Sequence, residues 1–401
     1  MHRAPPSRRG MSLLLLLLCL ALGVAAIVDL PGHLRYWRNY LAYGFSEPDR
    51  QLRTEKYSPV ATLATGAGTP PPAGALAAHH RRALDDYFLR SDAYAVLVAR
   101  KGRLVYARYA EGLGHETMFD AWSMSKTLVA LATGYALDRG LIDSVDAPVG
   151  RWLSEWADDP RGQITIRQLL NNESGLENRP FSFDAYNEAL DYFVGTDLEA
   201  TVLSTRLARA PGSAFEFNHI NSQTLILLLE RIAGKPYAAL LKEYLWQPLE
   251  AGAAAVPLDR PGGLARGVCC FLSSALNWLK LGMVLAQDGA YAGRRIVSRR
   301  WIGAMTRPAP RNRNFGFALW LGPFGDRRLV SEVSGRADLI RGSFRTDGII
   351  FAEGSGGVRL YLVPGERLVI VRFGAFQGFP VPDHWDEAAL VNVFFTGATA
   401  D

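Results

Sequence analysis

Apolar and polar positions follow two different periods along this chain, and the two are segregated. Ala93 to Arg100 and Arg103 to Ala110 are β-like runs, and Lys101-Gly102 between them predicts a hairpin. Phe315 to Leu321, Gly348 to Glu353, Val358 to Val363 and Leu368 to Phe373 are further strand-like runs near the other end. Between these groups, from Ser123 to about Ala254, apolar residues recur every three or four positions. Met124, Leu128, Leu131 and Tyr135 mark one such helical face, which closes before Gly140. Another helix is expected over Ser273 to Ala286, and one around Asp85-Asp86. Strands at both ends with helices between them predict an α/β (α+β) fold. Its antiparallel sheet is built from both chain ends, flanked by helices, with a mainly helical subdomain inserted over about 125–265.

The N-terminus follows a different grammar. Arg3, Arg8 and Arg9 precede an uncharged run from Met11 to Val28, in which Leu13 to Leu18 is unbroken. A positive segment before an apolar one is the pattern of an export signal. Eighteen mostly apolar residues also reach the lower limit for a membrane-spanning helix. Gly23-Val24-Ala25 has the small residues of a cleavage site. Residues 1–28 are therefore expected to be a signal sequence or an anchor. The product is periplasmic and tethered to the inner membrane if they stay, or secreted if they are cleaved. Residues 29–75 read as a spacer. Arg35-Tyr36-Trp37-Arg38 suits a membrane interface, and Thr65 to Gly74 (TGAGTPPPAG) is linker-like. The folded domain is expected over 76–401.

Composition narrows the function classes. With 401 residues, 49% hydrophobic and 21% charged, the chain is ordinary globular protein rather than disordered or fibrous. Its net charge of +5 comes from 44 basic and 39 acidic residues, only six of the basic ones Lys, and these are scattered. No basic stripe or recognisable module points to nucleic acid. Cys19 lies in the apolar run, and Cys269 and Cys270 are adjacent, so no disulfide framework is available and the pair reads as buried small residues. No Cys or His pair stands at zinc spacing, and no metal or cofactor is implied.

Candidate chemistry centres on Ser123-Met124-Ser125-Lys126, where a lysine follows a serine by three residues at the start of a long apolar-faced helix. At that spacing both side chains share one helical face. Burial and the positive end of the helix dipole lower the lysine pKa, so that its amine can accept the serine proton. A backbone N–H there can help to hold an oxyanion. Ser123 as a plain N-cap is the alternative.

Ala121 to Ala130 (AWSMSKTLVA) resembles the nucleophile helix of the penicillin-recognising serine hydrolases, the β-lactamase and penicillin-binding-protein superfamily. Gly140 to Val149, Ile164 to Leu170 (ITIRQLL), Ser174-Gly175-Leu176, Pro211-Gly212, Tyr244 to Leu249 and Ile296 to Trp301 extend the likeness in order. The nearest branch is the 6-aminohexanoate-dimer hydrolase-like one. The resemblance implies a β-lactamase/transpeptidase-like fold and an acyl-enzyme on Ser123 with Lys126 as general base. It also implies an oxyanion site from the Ser123 N–H and the strand around Val358.

Two departures from the family pattern matter. The second motif, Tyr-x-Asn, aligns with Phe217-Asn218-His219, so the phenolic hydroxyl is absent. The third, Lys or His before Thr-Gly, aligns near Glu353 to Gly357, where no basic residue stands. Three accounts stay open. His219 protonates the leaving group beside Lys126; Tyr186 supplies a hydroxyl from a loop; or turnover has been lost. The candidate site thus comprises Ser123, Lys126 and His219 for catalysis, with Phe217, Asn221, Tyr186, Gly356, Gly357 and Val358 around the substrate. The expected function is an exported serine hydrolase of a small ester or amide. Its rival is a non-catalytic envelope protein that binds a peptidoglycan fragment or another ligand in the same cleft.

Overall fold

A computed structural model describes residues 30–43, 52, 54, 57–63, 66, 68–179, 187–322, 344–375, 386 and 388–395. The N-terminal run at 11–28 lies outside them. Among the described residues no helix is long and apolar enough to cross a membrane.

The main sheet joins the two chain ends, as the segregated periods predict. Its strands are β2 (Ala93–Arg100), β3 (Arg103–Tyr109), β7 (Trp320–Leu321), β8 (Ile350–Gly354), β9 (Val358–Val363) and β10 (Leu368–Gly374). Their order is β3-β2-β10-β9-β8-β7, antiparallel throughout, with Val96 opposite Arg372 and Leu360 opposite Val371. Alternate residues of each strand enter different cores because strand side chains point to opposite faces. Leu97, Leu360 and Val371 pack toward the helical side, whereas Val96, Tyr361 and Ile370 pack under helix α2 (Ala78–Arg90). The sheet is therefore apolar on both faces.

Helices α3 (Lys126–Asp138), α4 (Ile166–Leu170), α5 (His219–Ala233) and α6 (Ala275–Ala286) form the other layer. Ten of the thirteen residues of α3 are buried, so it is a central helix rather than an amphipathic surface one. A capping box at Thr165 and Gln168 starts α4, and an Asn218 cap starts α5.

Two expectations are corrected. Phe315 to Leu321 is not one strand. Ala318 has a φ of 54°, and Gly316 N–H bonds back to the Leu319 carbonyl at 2.9 Å. The chain turns there, and only Trp320–Leu321 reach the sheet. Nor are residues 29–75 simply a spacer. Leu30–Tyr43 forms helix α1, and Val60–Thr62 forms β1, which pairs with β5 (Ala254–Pro257). In this second sheet β5 joins β6 (Leu272–Ser274), which joins β4 (Met118–Asp120). Tyr57 and Leu63 are buried in the main core. Three residues are too few to show a strand period, which hid β1 in the sequence. The Leu63→Ala variant is expected to lose about 2–5 kcal/mol of stability in urea unfolding; an unchanged midpoint would restore the spacer reading.

Candidate active site

Strand β4 carries the chain directly into the Ser123 turn. Trp122 adopts a φ of 48°, a left-handed conformation that a bulky residue holds only when its surroundings enforce it. Here they do so from three sides. Buried Asp120 accepts the Trp122 N–H at 2.9 Å and, on its other oxygen, the hydroxyl of Tyr57. Ser125 Oγ donates to the Trp122 carbonyl at 2.6 Å while accepting the Phe271 N–H at 3.0 Å. The Ala121 N–H reaches the Phe271 carbonyl at 3.1 Å.

This turn leaves Ser123 half-buried and puts Lys126 on the first turn of α3, facing it. Lys126 Nζ donates to Ser123 Oγ at 3.0 Å and to the Val268 carbonyl, and it stands 5.5 Å from the centre of the Phe217 ring. Burial lowers the Lys126 pKa to about 7, against the opposing pull of the Glu353 carboxylate. Val268 precedes Cys269 and Cys270, which are buried as expected but bonded to each other rather than free.

Beside the pair lies a small cleft. Asn172, Phe217, Asn218 and Asn221 form one wall, Phe315 and Trp320 another, and Ala352 and Glu353 of β8 the third. The asparagines form a network. Asn172 Oδ1 accepts from the Asn218 N–H at 3.0 Å and from Asn221 Nδ2 at 2.8 Å, and Asn221 Oδ1 accepts from Ser174 at 2.6 Å. These bonds pin the start of α5 to the loop after α4 and aim Phe217 at the lysine. Phe217 stacks on Trp320 with ring centres 5.9 Å apart.

Of the residues singled out in sequence, Ser123, Lys126, Phe217 and Asn221 come together at the cleft. Tyr186 lies outside the described residues. His219 is corrected: it is buried on the first turn of α5 among Tyr192, Phe193 and Phe217 and does not line the cleft. Burial, and then the nearby Lys126, push its pKa well below the ordinary histidine value, so the imidazole is neutral. A second correction concerns Gly356, Gly357 and Val358. The two glycines have φ of 73° and 78° and form the β8–β9 turn, which Arg372 clamps through the Gly357 carbonyl at 2.6 Å. Val358 lies on β9, opposite Gly354.

The strand edge beside Ser123 is instead β8. A Cβ added at Gly354 would lie 2.4 Å from the Ala121 carbonyl oxygen, so only glycine permits this approach. Asn172 and Glu353 were missed in the sequence. Glu353 opens the stretch that aligns near the family's third motif, and Asn172, in the sequence Asn171-Asn172-Glu173-Ser174, adopts a φ of 58°. A turn-forming Asn pair just after a helix was the available signal.

An antiparallel sheet closed from both chain ends, with a buried lysine on the central helix facing a serine one turn earlier, defines the β-lactamase-like serine hydrolases. The beta-lactamase family profile matches residues 88–392, and the chain belongs to that family. Its relatives include the 6-aminohexanoate-dimer hydrolase of Paenarthrobacter ureafaciens, 26% identical over 314 residues, which are 73% of this chain and 74% of that protein. Among solved structures, a Bacillus anthracis protein provisionally named a 6-aminohexanoate-dimer hydrolase superposes with a TM-score of 0.70 at 17% identity. The match covers 86% of this chain and 92% of that one. A family VIII carboxylesterase gives 0.61 at 15% identity, covering 80% and 98%.

In a nitrogen NMR titration of lysine-labelled protein, the Lys126 amine is expected to lose its proton near pH 7. Glu353→Gln removes the charge that favours the ammonium form, so the midpoint should move to lower pH. A Lys126 midpoint near 10 would show that the amine is solvated.

Proposed function

We propose that this chain is an exported serine hydrolase that cleaves a small ester or amide through an acyl-enzyme on Ser123. The observation that carries this reading is the 3.0 Å contact between Ser123 Oγ and a lysine whose buried amine is half neutral near pH 7. In acylation the Ser123 oxygen bonds to the substrate carbonyl carbon and Lys126 takes the serine proton. The Ser123 N–H and the neighbouring edge of β8 face the developing oxyanion. The bond to the leaving group then breaks, and the Lys126 ammonium returns the proton to it. Water attacks the acyl-enzyme by the same route.

Among the described residues no tyrosine lines the cleft, and the buried His219 is neutral; this reading gives Lys126 the roles of both base and acid. That favours esters, whose leaving groups need little help, over amides. The Glu353 carboxylate on β8 disfavours substrates with a carboxylate beside the scissile bond, which argues against β-lactams. A hydrolase of small molecules agrees with the name of the Paenarthrobacter relative. The Arg-flanked run over 11–28 supports export and tethering to the inner membrane.

One observation favours a second reading, a ligand-binding protein without turnover: the hydroxyl missing at Phe217. Intact-mass measurement after incubating the full-length chain with a fluorophosphonate separates the two. Hydrolase chemistry predicts one adduct, lost in Ser123→Ala; no adduct on folded protein would favour the binding reading.

Phe217→Tyr places a hydroxyl on the ring nearest Lys126. Hydrolysis of esters with poor leaving groups is expected to rise on the order of 10²-fold. An unchanged rate would mean that the ring edge does not point at the reacting atoms.

A further inference from the structure

Helix α1 (Leu30–Tyr43) has two opposite faces with different surroundings. Tyr36, Asn39 and Tyr40 turn toward the protein: the tyrosines pack against the main core, and Asn39 Nδ2 donates to the Val194 carbonyl at 3.1 Å. On the opposite face Leu34 is 63% exposed and Leu41 77%; Trp37, 38% exposed, stands at the border of the two faces, where it also lines a pocket shared with Asn187, Glu188, Asp191 and Asp197 of the body. Spaced at i, i+3 and i+7, the three apolar side chains form one stripe. Three of the five large apolar side chains that stand out as exposed among the described residues lie on this one helix. Scattered exposed leucines need no explanation, whereas a stripe on a docked helix does.

What covers the stripe follows from its position and charge. The uncharged run of 18 residues ends at Val28, two residues before α1 begins, so any bilayer that receives the run lies beside the helix. The helix contains Arg35 and Arg38 and no Asp or Glu, and Arg38 is exposed on the stripe side. Apolar and tryptophan side chains on one face, flanked by arginine, are what a helix lying in an anionic lipid interface presents.

We propose that α1 is an interfacial helix whose Leu34 and Leu41 insert into an anionic bilayer surface, with Trp37 at the edge of that face, while its tyrosine face holds the catalytic body. This rests on the tether proposed for residues 11–28 and extends it. The run alone would leave the body swinging on a leash, whereas α1 fixes one face of the body against the membrane. Arg38 also donates to the Ser58 carbonyl at 3.3 Å, joining the helix to the segment that carries Tyr57 and β1.

The test uses the full-length Cys19→Ala chain with Leu41→Cys labelled by nitrobenzoxadiazole; Cys269 and Cys270 are buried and out of the reagent's reach. A second sample carries the label at Glu111→Cys, an exposed position on the catalytic body. Flotation with phosphatidylglycerol/phosphatidylethanolamine vesicles reports the tether on its own. On vesicles the Leu41 label is expected to shift its emission to the blue and to lose intensity when doxyl-labelled lipid is added, while the Glu111 label does neither. Flotation with a water-like Leu41 spectrum would overturn the α1 proposal and leave the tether standing; failure to float would overturn both. A blue shift that doxyl lipid does not quench would mean that a second copy of the chain covers the stripe, which also overturns it.

Discussion

A lysine amine kept out of water is the constraint on which the rest of the site depends. Moving the Lys126 pKa from 10.5 to about 7 corresponds to about 5 kcal/mol of preference for the neutral amine. That preference exists only where water is excluded, which requires α3 to be buried almost all round and α5 to pack beside it. It also requires an acceptor within the core, because an amine with no partner would cost still more. The Val268 carbonyl fills that need. The sign of the linkage follows. An unfolded chain holds this proton up to about pH 10.5, so the full cost to stability is present below about 7 and fades as pH rises through that window. The extensive two-faced apolar sheet and the buried helices offset it.

The second requirement is a serine held off the regular helix. The positive φ of Trp122 turns the chain sharply between β4 and α3, and the strain is contained by Asp120, Ser125 and the 268–271 segment rather than by Trp122 itself. Tyr57 reaches Asp120 from residues that the sequence presents as a spacer. The segment between the N-terminal run and the domain is thus part of the support for the nucleophile turn.

How much of this the sequence disclosed depends on the range of the interaction concerned. Local periods and short motifs located β2, β3, β8, β9, β10, the helical insert and the Ser123–Lys126 spacing, because each is encoded within a few residues. That one sheet is built from both chain ends came from the placement of the strand-like runs, whereas the order of the strands did not. What stayed hidden is long-range. β1 is three residues long and is defined by β5, nearly 200 positions away. Glu353 reaches the cleft because glycine at 354 lets β8 press against the nucleophile turn, and no local pattern reports that contact. His219 shows the opposite error: alignment put it in a motif position, but the helix start turns its ring into an aromatic cluster. Gly356 and Gly357 were read as substrate-facing when their positive φ values serve a hairpin.

Phe217 is where sequence and structure together say more than either alone. As a departure from a motif it reads as a loss. In the structure its ring lies flat against Trp320 and stands 5.5 Å from the Lys126 nitrogen, a distance at which an aromatic face attracts a cation. A phenol would have shuttled the proton and left the lysine charge to other groups. A phenyl face holds no proton, but it attracts the ammonium form of Lys126, and the Glu353 carboxylate favours the same form. The Glu353 carboxylate raises the basicity of an amine that burial alone would lower further. In the proposed mechanism a single amine, tuned from both sides, stands in for a relay between two groups, and the rate is tied to how readily the leaving group departs.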